Sequence, residues 1–199
     1  MVRFPFLLLL MFLFSACTQP MQVPDSGPMQ AWKSRQSALM NLKDWKLQGR
    51  VGLYTEQEAW PGDLQWKQSG AAYDMRIIAP LGVGNLHVYS VKGGVMLEHS
   101  SEPQPYFTAD PEVLIQKQYG WKLPISNLRY WMTGLPSPLS SLSGKLDLDE
   151  HGRLQSLQQS GWHISFQRYK NIAGYDLPTK VLLEHEDLSV KIVVRQWQV

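Results

Sequence analysis

Apolar and polar residues alternate along most of the chain after residue 44. In WKLQGRVGL at 45–53, every second residue is apolar or glycine, and mostly polar residues stand between them. This period of two predicts strands with one buried face. The same period recurs at Leu64/Trp66, Tyr73/Met75/Ile77, Leu86/Val88, Val95/Leu97, Leu146/Leu148, Trp162/Ile164/Phe166, Val181/Leu183 and Leu188/Val190/Ile192/Val194.

Short turn signals separate these predicted strands. They are SGAA at 69–72, KGG at 92–94, DEHG at 149–152 and EHED at 184–187. Parallel strands need long crossover connections, whereas antiparallel neighbours are joined by tight turns. The pattern therefore predicts an antiparallel meander in a single domain.

A helical period replaces the strand period in three places. Residues 31–43 place Trp32 and Leu39 on one face and predict a first helix. Asp110 precedes a proline and is followed at Gly120 by a C-terminal stop, which predicts a second helix.

The third helical segment has the clearest amphipathic pattern. Ser126 is the predicted N-cap, Gly134 the predicted end, and Pro136 prevents continuation. Apolar residues follow at i, i+3, i+4 and i+7, namely Leu128, Trp131, Met132 and Leu135. We expect the three amphipathic helices to cover the apolar face of the sheet, because a sheet must bury that face against another element.

The start of the chain predicts processing rather than a fold. One positive charge at Arg3, an eleven-residue stretch at 4–14 and small residues before Cys17 are typical of a secretory signal. That stretch is too short to span a membrane, which takes about 20 residues. Cys17 is the only cysteine, so it cannot form an internal disulfide.

The segment FSAC at 14–17 resembles the lipobox of bacterial lipoproteins. The resemblance implies that Cys17 is acylated and that residues 1–16 are cleaved as a signal peptide. Thr18 follows the cysteine where aspartate would retain a lipoprotein in the inner membrane, which favours the outer membrane. Residues 17–30, rich in proline, are predicted to be the acylated cysteine and a flexible stem, and residues 31–199 the domain.

Charge and motifs narrow the possible functions. Without Arg3, the 19 Lys and Arg residues become 18, against 17 Asp and Glu, so no basic footprint for nucleic acid is expected. The five histidines are scattered, and we find no nucleotide-binding, nucleophile-elbow or metalloprotease motif. The sequence therefore predicts no enzyme, no metal and no cofactor. The pair Asp147/Asp149 is interpreted as a solvated strand end.

The chain resembles the LolB family, the outer-membrane lipoprotein receptors of the bacterial lipoprotein-localisation pathway. The resemblance is carried by Trp32, LQGRVGL at 47–53, LQWKQSG at 64–70, YDMRIIAPLG at 73–82, LPISNLRYWMTGLP at 123–136, LDLDEHGRL at 146–154, GYDLP at 174–178 and VKIVVRQW at 190–197.

The resemblance implies an unclosed antiparallel β-barrel with a helical lid, a mainly β (α+β) fold, over an apolar cavity. It implies that the protein accepts acylated lipoproteins from the periplasmic carrier LolA and inserts them into the outer membrane. The partners would be LolA, the acyl chains of the cargo and the membrane, and the receptor is expected to be a monomer facing the periplasm.

Two sets of site residues follow. The resemblance places a protruding membrane-delivery loop at Pro80, Leu81 and Gly82, where proline and glycine also predict a turn. Candidates for the acyl cavity are apolar residues on the strands and lid helices, each of which could equally be a packed core residue. They are Trp45, Leu47, Trp66, Met75, Ile77, Leu128, Trp131 and Met132.

Two other functions stay open on the sequence. A scaffolding lipoprotein would have the same sheet with a filled interior and would bind a protein partner. A lipid-modifying enzyme is disfavoured because no nucleophile and base pair is apparent. The sequence alone does not distinguish a filled interior from a hollow one.

Overall fold

A computed structural model describes residues 27–82 and 84–199. The elements are α1 (Pro28–Met40), β1 (Asp44–Tyr54), β2 (Ala59–Ser69), β3 (Ala72–Ile78), β4 (Leu86–Val91), β5 (Gly94–His99), β6 (Tyr106–Thr108), α2 (Pro111–Tyr119), α3 (Ile125–Met132), β7 (Leu142–Leu148), β8 (Leu154–Gln159), β9 (Trp162–Ile172), β10 (Tyr175–His185) and β11 (Leu188–Gln198). The predicted signal, Cys17 and most of the predicted stem lie outside the described residues.

All eleven strands form one antiparallel sheet in the order β6-β5-β4-β3-β2-β1-β11-β10-β9-β8-β7. Every neighbouring pair except β1 and β11 is consecutive in the chain, so the predicted meander is confirmed. The sheet does not join β6 to β7 and is therefore an unclosed barrel. Three helices accompany it, as the apolar pattern of the first and third and the start and stop residues of the second predicted.

Alternating burial shows how the strands build the interior. In β1, alternate residues from Trp45 to Val51 face inward and are buried, while Lys46, Gln48 and Arg50 face outward. The register shifts at Gln48/Gly49 opposite β11. A Cβ at Gly49 would lie 2.2 Å from the Val193 carbonyl oxygen, so only glycine fits this close approach.

The barrel has two distinct ends. At the α1 end lie the β2–β3, β7–β8 and β9–β10 turns; at the Leu81 end lie the β1–β2, β3–β4, β8–β9 and β10–β11 turns. The α1 end is named for helix α1, which lies across it. Two contacts hold the helix there: Gly152 packs against its first turn, and Arg35 donates to Asp176 of β10 at 3.2 Å.

Helix α1 begins at Pro28, three residues before the predicted start of the domain. Residues 28–30, assigned to the stem from the sequence, are therefore helical. Proline is favoured in the first turn of a helix because the missing N–H would have no helical partner there. Trp32 and Leu39 are buried, as predicted.

The ends of α2 follow the prediction, but the start of α3 does not. Asp110 Oδ1 accepts from the Glu112 and Val113 amides, and Gly120 has a φ of 74°. Helix α3 begins at Ile125, so the predicted Ser126 cap is wrong. The Ser126 amide instead donates to the Glu112 carboxylate of α2 at 3.2 Å.

Two strands, β6 and β8, were not predicted. The β8 segment LQSLQQ buries Leu154, Leu157 and Gln159, which do not alternate strictly and include a polar residue. Strand β6 has three residues and lies at an edge of the sheet. Neither segment carries the apolar period by which the other strands are predicted.

Candidate functional site

The eight candidate cavity residues come together inside the barrel. Each is at most 6% exposed, and all belong to one apolar cluster shared by the sheet and the helices. The ring centroids of Trp45 lie 5.1 Å from Trp66 and 5.2 Å from Trp197. The structure therefore places these residues on one continuous inner surface, tightly packed in this conformation.

Helix α3 is attached to this interior through a buried glutamine that the sequence analysis missed. Gln159 of β8 is fully buried. Its Oε1 accepts from the Trp131 indole N–H and the Ser137 amide, both at 2.8 Å. Its Nε2 donates to the Ser137 and Ser140 carbonyls, both at 2.7 Å. All four hydrogen-bonding positions of the amide are used.

Asn127, four residues before Trp131 and on the same face of α3, extends this network. Its Oδ1 accepts from the Ser137 hydroxyl at 2.8 Å, and both residues are buried. We call Asn127, Trp131, Ser137 and Gln159 the α3 latch. Trp131 is therefore held by a specific hydrogen bond as well as by apolar packing, which a residue lining an open cavity would not need.

Three aromatic residues meet at the C-terminal end of α2, on the Leu81 end of the barrel. The Trp60 and Trp121 ring centroids lie 5.6 Å apart, and Tyr119 stacks on Trp121 at 5.2 Å. Burial, with a smaller effect from Glu102, raises the pKa of Tyr119 to about 12. We call Trp60, Tyr119 and Trp121 the aromatic lip. It lies beside the β3–β4 loop, since a Cβ added at Gly84 would lie 3.2 Å from the Trp60 indole nitrogen.

The predicted loop at Pro80, Leu81 and Gly82 forms a single 3-10 turn between β3 and β4. The Gly82 amide donates to the Ala79 carbonyl at 3.1 Å, and the Asn85 side chain accepts from the Ala79 amide at 3.0 Å. These bonds define the loop at its base while its tip projects into solvent.

Leu81 is 100% exposed and has a φ of 61°. A leucine in the left-handed region is uncommon, and an exposed leucine gains no burial energy. Neither feature helps the isolated domain to fold. Strained residues that persist in a structure point to a functional role.

Charged residues lie next to this loop on the outer face of the barrel. Asp63 Oδ1 is 3.6 Å from the Arg50 Nε and also accepts from Arg195. All three side chains are more than half exposed, so these ion pairs contribute little to stability. Ile78 is 40% exposed beside them. The loop therefore projects from a mixed apolar and cationic surface.

Within the described ranges, no helix is long and apolar enough to cross a membrane. Over the same residues, no group of three or more His, Cys, Asp and Glu side chains is placed to hold a metal ion.

Comparison with known proteins identifies the family. The sequence profile described as outer membrane lipoprotein LolB matches residues 43–197. The chain is 38% identical over 197 residues to the outer-membrane lipoprotein LolB of Nitrosococcus oceani, covering 98% of this chain and 97% of that one. It is 39% identical over 172 residues to the LolB of Pseudomonas putida, covering 86% and 82%.

Solved structures share the fold at low sequence identity. A LolA superfamily protein from Nitrosomonas europaea superposes with a TM-score of 0.55 at 8% identity, covering 87% of this chain and 93% of that one. A putative outer membrane lipoprotein-sorting protein domain from Vibrio parahaemolyticus gives 0.53 at 12%, covering 87% and 92%. With an unclosed barrel, a helical lid and these relatives, the chain belongs to the LolB family of outer-membrane lipoproteins.

Proposed function

We propose that this protein is a receptor that accepts acylated lipoproteins from the soluble periplasmic carrier LolA and inserts them into the outer membrane. The observation that carries the proposal is the fully exposed Leu81, held at a positive φ beside an apolar interior covered by helices. An exposed apolar tip on a lipid-anchored protein can enter the membrane interface.

Acyl chains need a protein surface at every stage of such a transfer. Burying one methylene is worth about 0.8 kcal/mol, so exposing one chain of about 15 methylenes costs on the order of 12 kcal/mol. The inner surface formed by Trp45, Leu47, Trp66, Met75 and Ile77 is apolar and continuous. We propose that the chains bind there, beneath α2 and α3.

The packed interior has a consequence for this binding. Since the eight candidate residues are at most 6% exposed, an acyl chain must displace side chains or a covering helix. The contacts of α2 are largely apolar, and an acyl chain can replace them with similar contacts. We therefore propose that chains enter beneath α2, between it and the sheet.

Direction comes from relative affinity in this proposal. A ligand moves a protein between states only by its difference in affinity for them. Cargo would bind the receptor more tightly than the carrier, and the membrane more tightly than the receptor. The protein thus acts without a catalytic step or a cofactor.

The substitution Leu81→Glu tests the proposed role of the loop. We expect the variant to fold and to accept cargo from the carrier, because Leu81 makes no buried contact. Delivery should stall, because a carboxylate at the tip opposes entry into the lipid interface. The measurement is the amount of radiolabelled cargo bound to the receptor and the amount inserted into liposomes over time.

Leu139→Glu is the matched control. Leu139 is also exposed, at 57%, but lies in the segment after α3. It should deliver cargo at the parental rate. If Leu81→Glu delivers as fast as the parent, or fails at acceptance instead, the loop is not the delivery element.

The tight interior packing favours a second candidate, a scaffolding lipoprotein that binds a protein partner. It would have no affinity for acyl chains. Titration with a fluorescent fatty acid, followed by displacement with an acylated lipoprotein, distinguishes the two functions. Absence of saturable binding would favour the scaffold.

We also propose that Cys17 carries the lipid anchor and that the receptor acts as a monomer. Mass spectrometry of the amino-terminal peptide would detect acyl chains on Cys17. Sedimentation of the detergent-solubilised protein would give its oligomeric state.

A further inference from the structure

A pocket of about 370 Å³ lies at the α1 end of the barrel, opposite to Leu81. It lies between the end of α1, the β2–β3 turn and α3. This volume falls in the usual range for small-molecule sites, about 300–1,000 Å³. The residues that matter for its chemistry are Leu39, Leu42, Lys43, Trp45, Arg129 and Leu135.

One side of the pocket is apolar. Leu39 of α1, Trp45 of β1 and Leu135 in the segment after α3 are between 2% and 4% exposed. Leu42 is half-buried against the same cluster. These walls suit a hydrocarbon chain, which gains about 0.8 kcal/mol in transfer for each methylene removed from water.

The other side of the pocket is cationic. Lys43 and Arg129 both line it, and neither forms an ion pair with another described residue. No aspartate or glutamate is among the described residues that line it. A site with two cations and no carboxylate attracts an anion.

The guanidinium of Arg129 has unused hydrogen-bonding capacity. Its Nη1 donates to the Gly70 carbonyl at a long 3.4 Å, and its Nη2 donates to the Tyr130 hydroxyl at 2.9 Å. Its Nε is buried and lacks an acceptor within the described part of the chain. A buried donor without an acceptor is unfavourable, so an acceptor supplied by a ligand would be stabilising.

We propose that this pocket binds a long-chain carboxylate, the anion of a fatty acid. Its carboxylate pairs with Arg129 and Lys43, and its first methylenes lie against Leu39, Trp45 and Leu135. The planar guanidinium matches the planar carboxylate and can donate two parallel hydrogen bonds to it. The site does not depend on the proposed receptor function, because it forms equally well beside a filled interior.

The test uses the full acylated chain in nanodiscs of neutral lipid and two photoreactive probes of equal chain length. One probe is a fatty acid with a diazirine close to its carboxylate, and the other is the matching fatty alcohol. After irradiation, mass spectrometry locates and quantifies the labelled peptides. We expect the acid to label peptides containing Leu39, Trp45 and Leu135 about tenfold more than the alcohol, since hydrogen bonds to charged groups contribute about 1.5–3 kcal/mol.

Two substitutions identify the cation that selects the acid. Arg129→Gln should reduce the preference for the acid to roughly threefold or less, and Arg129→Lys should retain more of it. Lys191→Gln is the matched control, because Lys191 is an exposed cation on the outer face of β11 and should leave the preference unchanged. Circular dichroism of each variant checks its folding.

Several results would overturn the proposal. Equal labelling by both probes would exclude recognition of the carboxylate. Labelling confined to other peptides would place the site elsewhere. A preference that persists in a folded Arg129→Gln variant would remove the assigned cation. Competition in which a lysophosphatidic acid displaces the probe at lower concentration than the fatty acid would reassign the ligand to a phosphate.

Discussion

The two helices that cover the interior, α2 and α3, are attached to the barrel in different ways. Gln159 alone makes four hydrogen bonds to α3 and the segment after it, three of them buried and one partly buried. Helix α2 buries Ile115, and one described hydrogen bond, from the Ser126 amide to Glu112, joins it to α3. Its other contacts are apolar or aromatic: Ile115 belongs to the core cluster, and Tyr119 packs against His99 of β5 and Trp121.

The difference matters because an acyl chain can replace apolar contacts but not polar ones. Moving α2 exchanges apolar contacts with the protein for similar contacts with the ligand. Moving α3 would leave buried donors and acceptors without partners, and each costs about 1–3 kcal/mol. We therefore expect α3 to stay fixed while α2 moves.

Gln159→Leu breaks the α3 latch most completely and should have the largest effect. It leaves the Trp131 indole N–H, the Ser137 amide and two carbonyls without their partner. We expect the free energy of unfolding to fall by about 4 kcal/mol. Urea denaturation followed by circular dichroism measures it. The neighbouring Gln158→Leu, at an exposed position, should change stability by about 0.5 kcal/mol or less. Equal losses in the two variants would refute the latch.

Trp131→Phe should have an intermediate effect, since it removes one bond of the latch and part of the ring volume. Gln159 Oε1 keeps the Ser137 amide as a donor. We expect a loss of about 2 kcal/mol in thermal or urea unfolding and unchanged affinity for a fluorescent fatty acid. Trp162→Phe is the control, because Trp162 is also buried, at 2% exposed against 0% for Trp131. A loss of fatty-acid affinity at unchanged stability would instead make Trp131 a cavity residue.

Asp110→Ala weakens α2 alone and should have the smallest effect on global stability, about 1 kcal/mol or less. The Glu112 and Val113 amides lose their acceptor. We expect faster hydrogen exchange across residues 114–119 with little change in α3, and faster entry of a fatty acid in stopped-flow experiments. Asp187→Ala, in the exposed β10–β11 turn, should change neither rate. Faster exchange in α3 than in α2 would reverse the assignment of the two helices.

The helices and strands that the sequence predicted correctly are those whose local residue pattern matches the burial of each residue or marks the ends of the element. The long strands alternate because one face is buried, and α2 is marked by its own cap residues. Strand β8 was missed because one of its buried residues, Gln159, is polar. The role of Gln159 is visible only in the folded structure, where Trp131 and Ser137 donate hydrogen bonds to it. Ser126 was wrongly predicted as the N-cap of α3. The Ser126 amide instead donates to the Glu112 carboxylate, which comes from α2 and could not be identified from the local sequence.

The candidate site, like the fold, was only partly predictable from the sequence. The inward position of the eight apolar candidates was predictable, because the five on strands follow the period of two and Leu128, Trp131 and Met132 follow the helical period of α3. Whether they line a cavity or fill a core was not readable, because both roles require the same side chains. The exposure of Leu81 was expected from the turn residues and the resemblance, whereas its positive φ was not predictable, because leucine rarely adopts the left-handed region.

The central pairing of β1 with β11 also constrains how the protein folds. Lys46 pairs with Gln198, across 152 positions of sequence, while every other pair of neighbouring strands is consecutive. Strands β1–β6 and β7–β11 can each form early from local hairpins, but joining them requires a costly loop closure. Because β11 lies near the middle of the sheet, the two halves expose unpaired edges until β11 pairs with β1. This one pairing therefore removes both exposed edges at once.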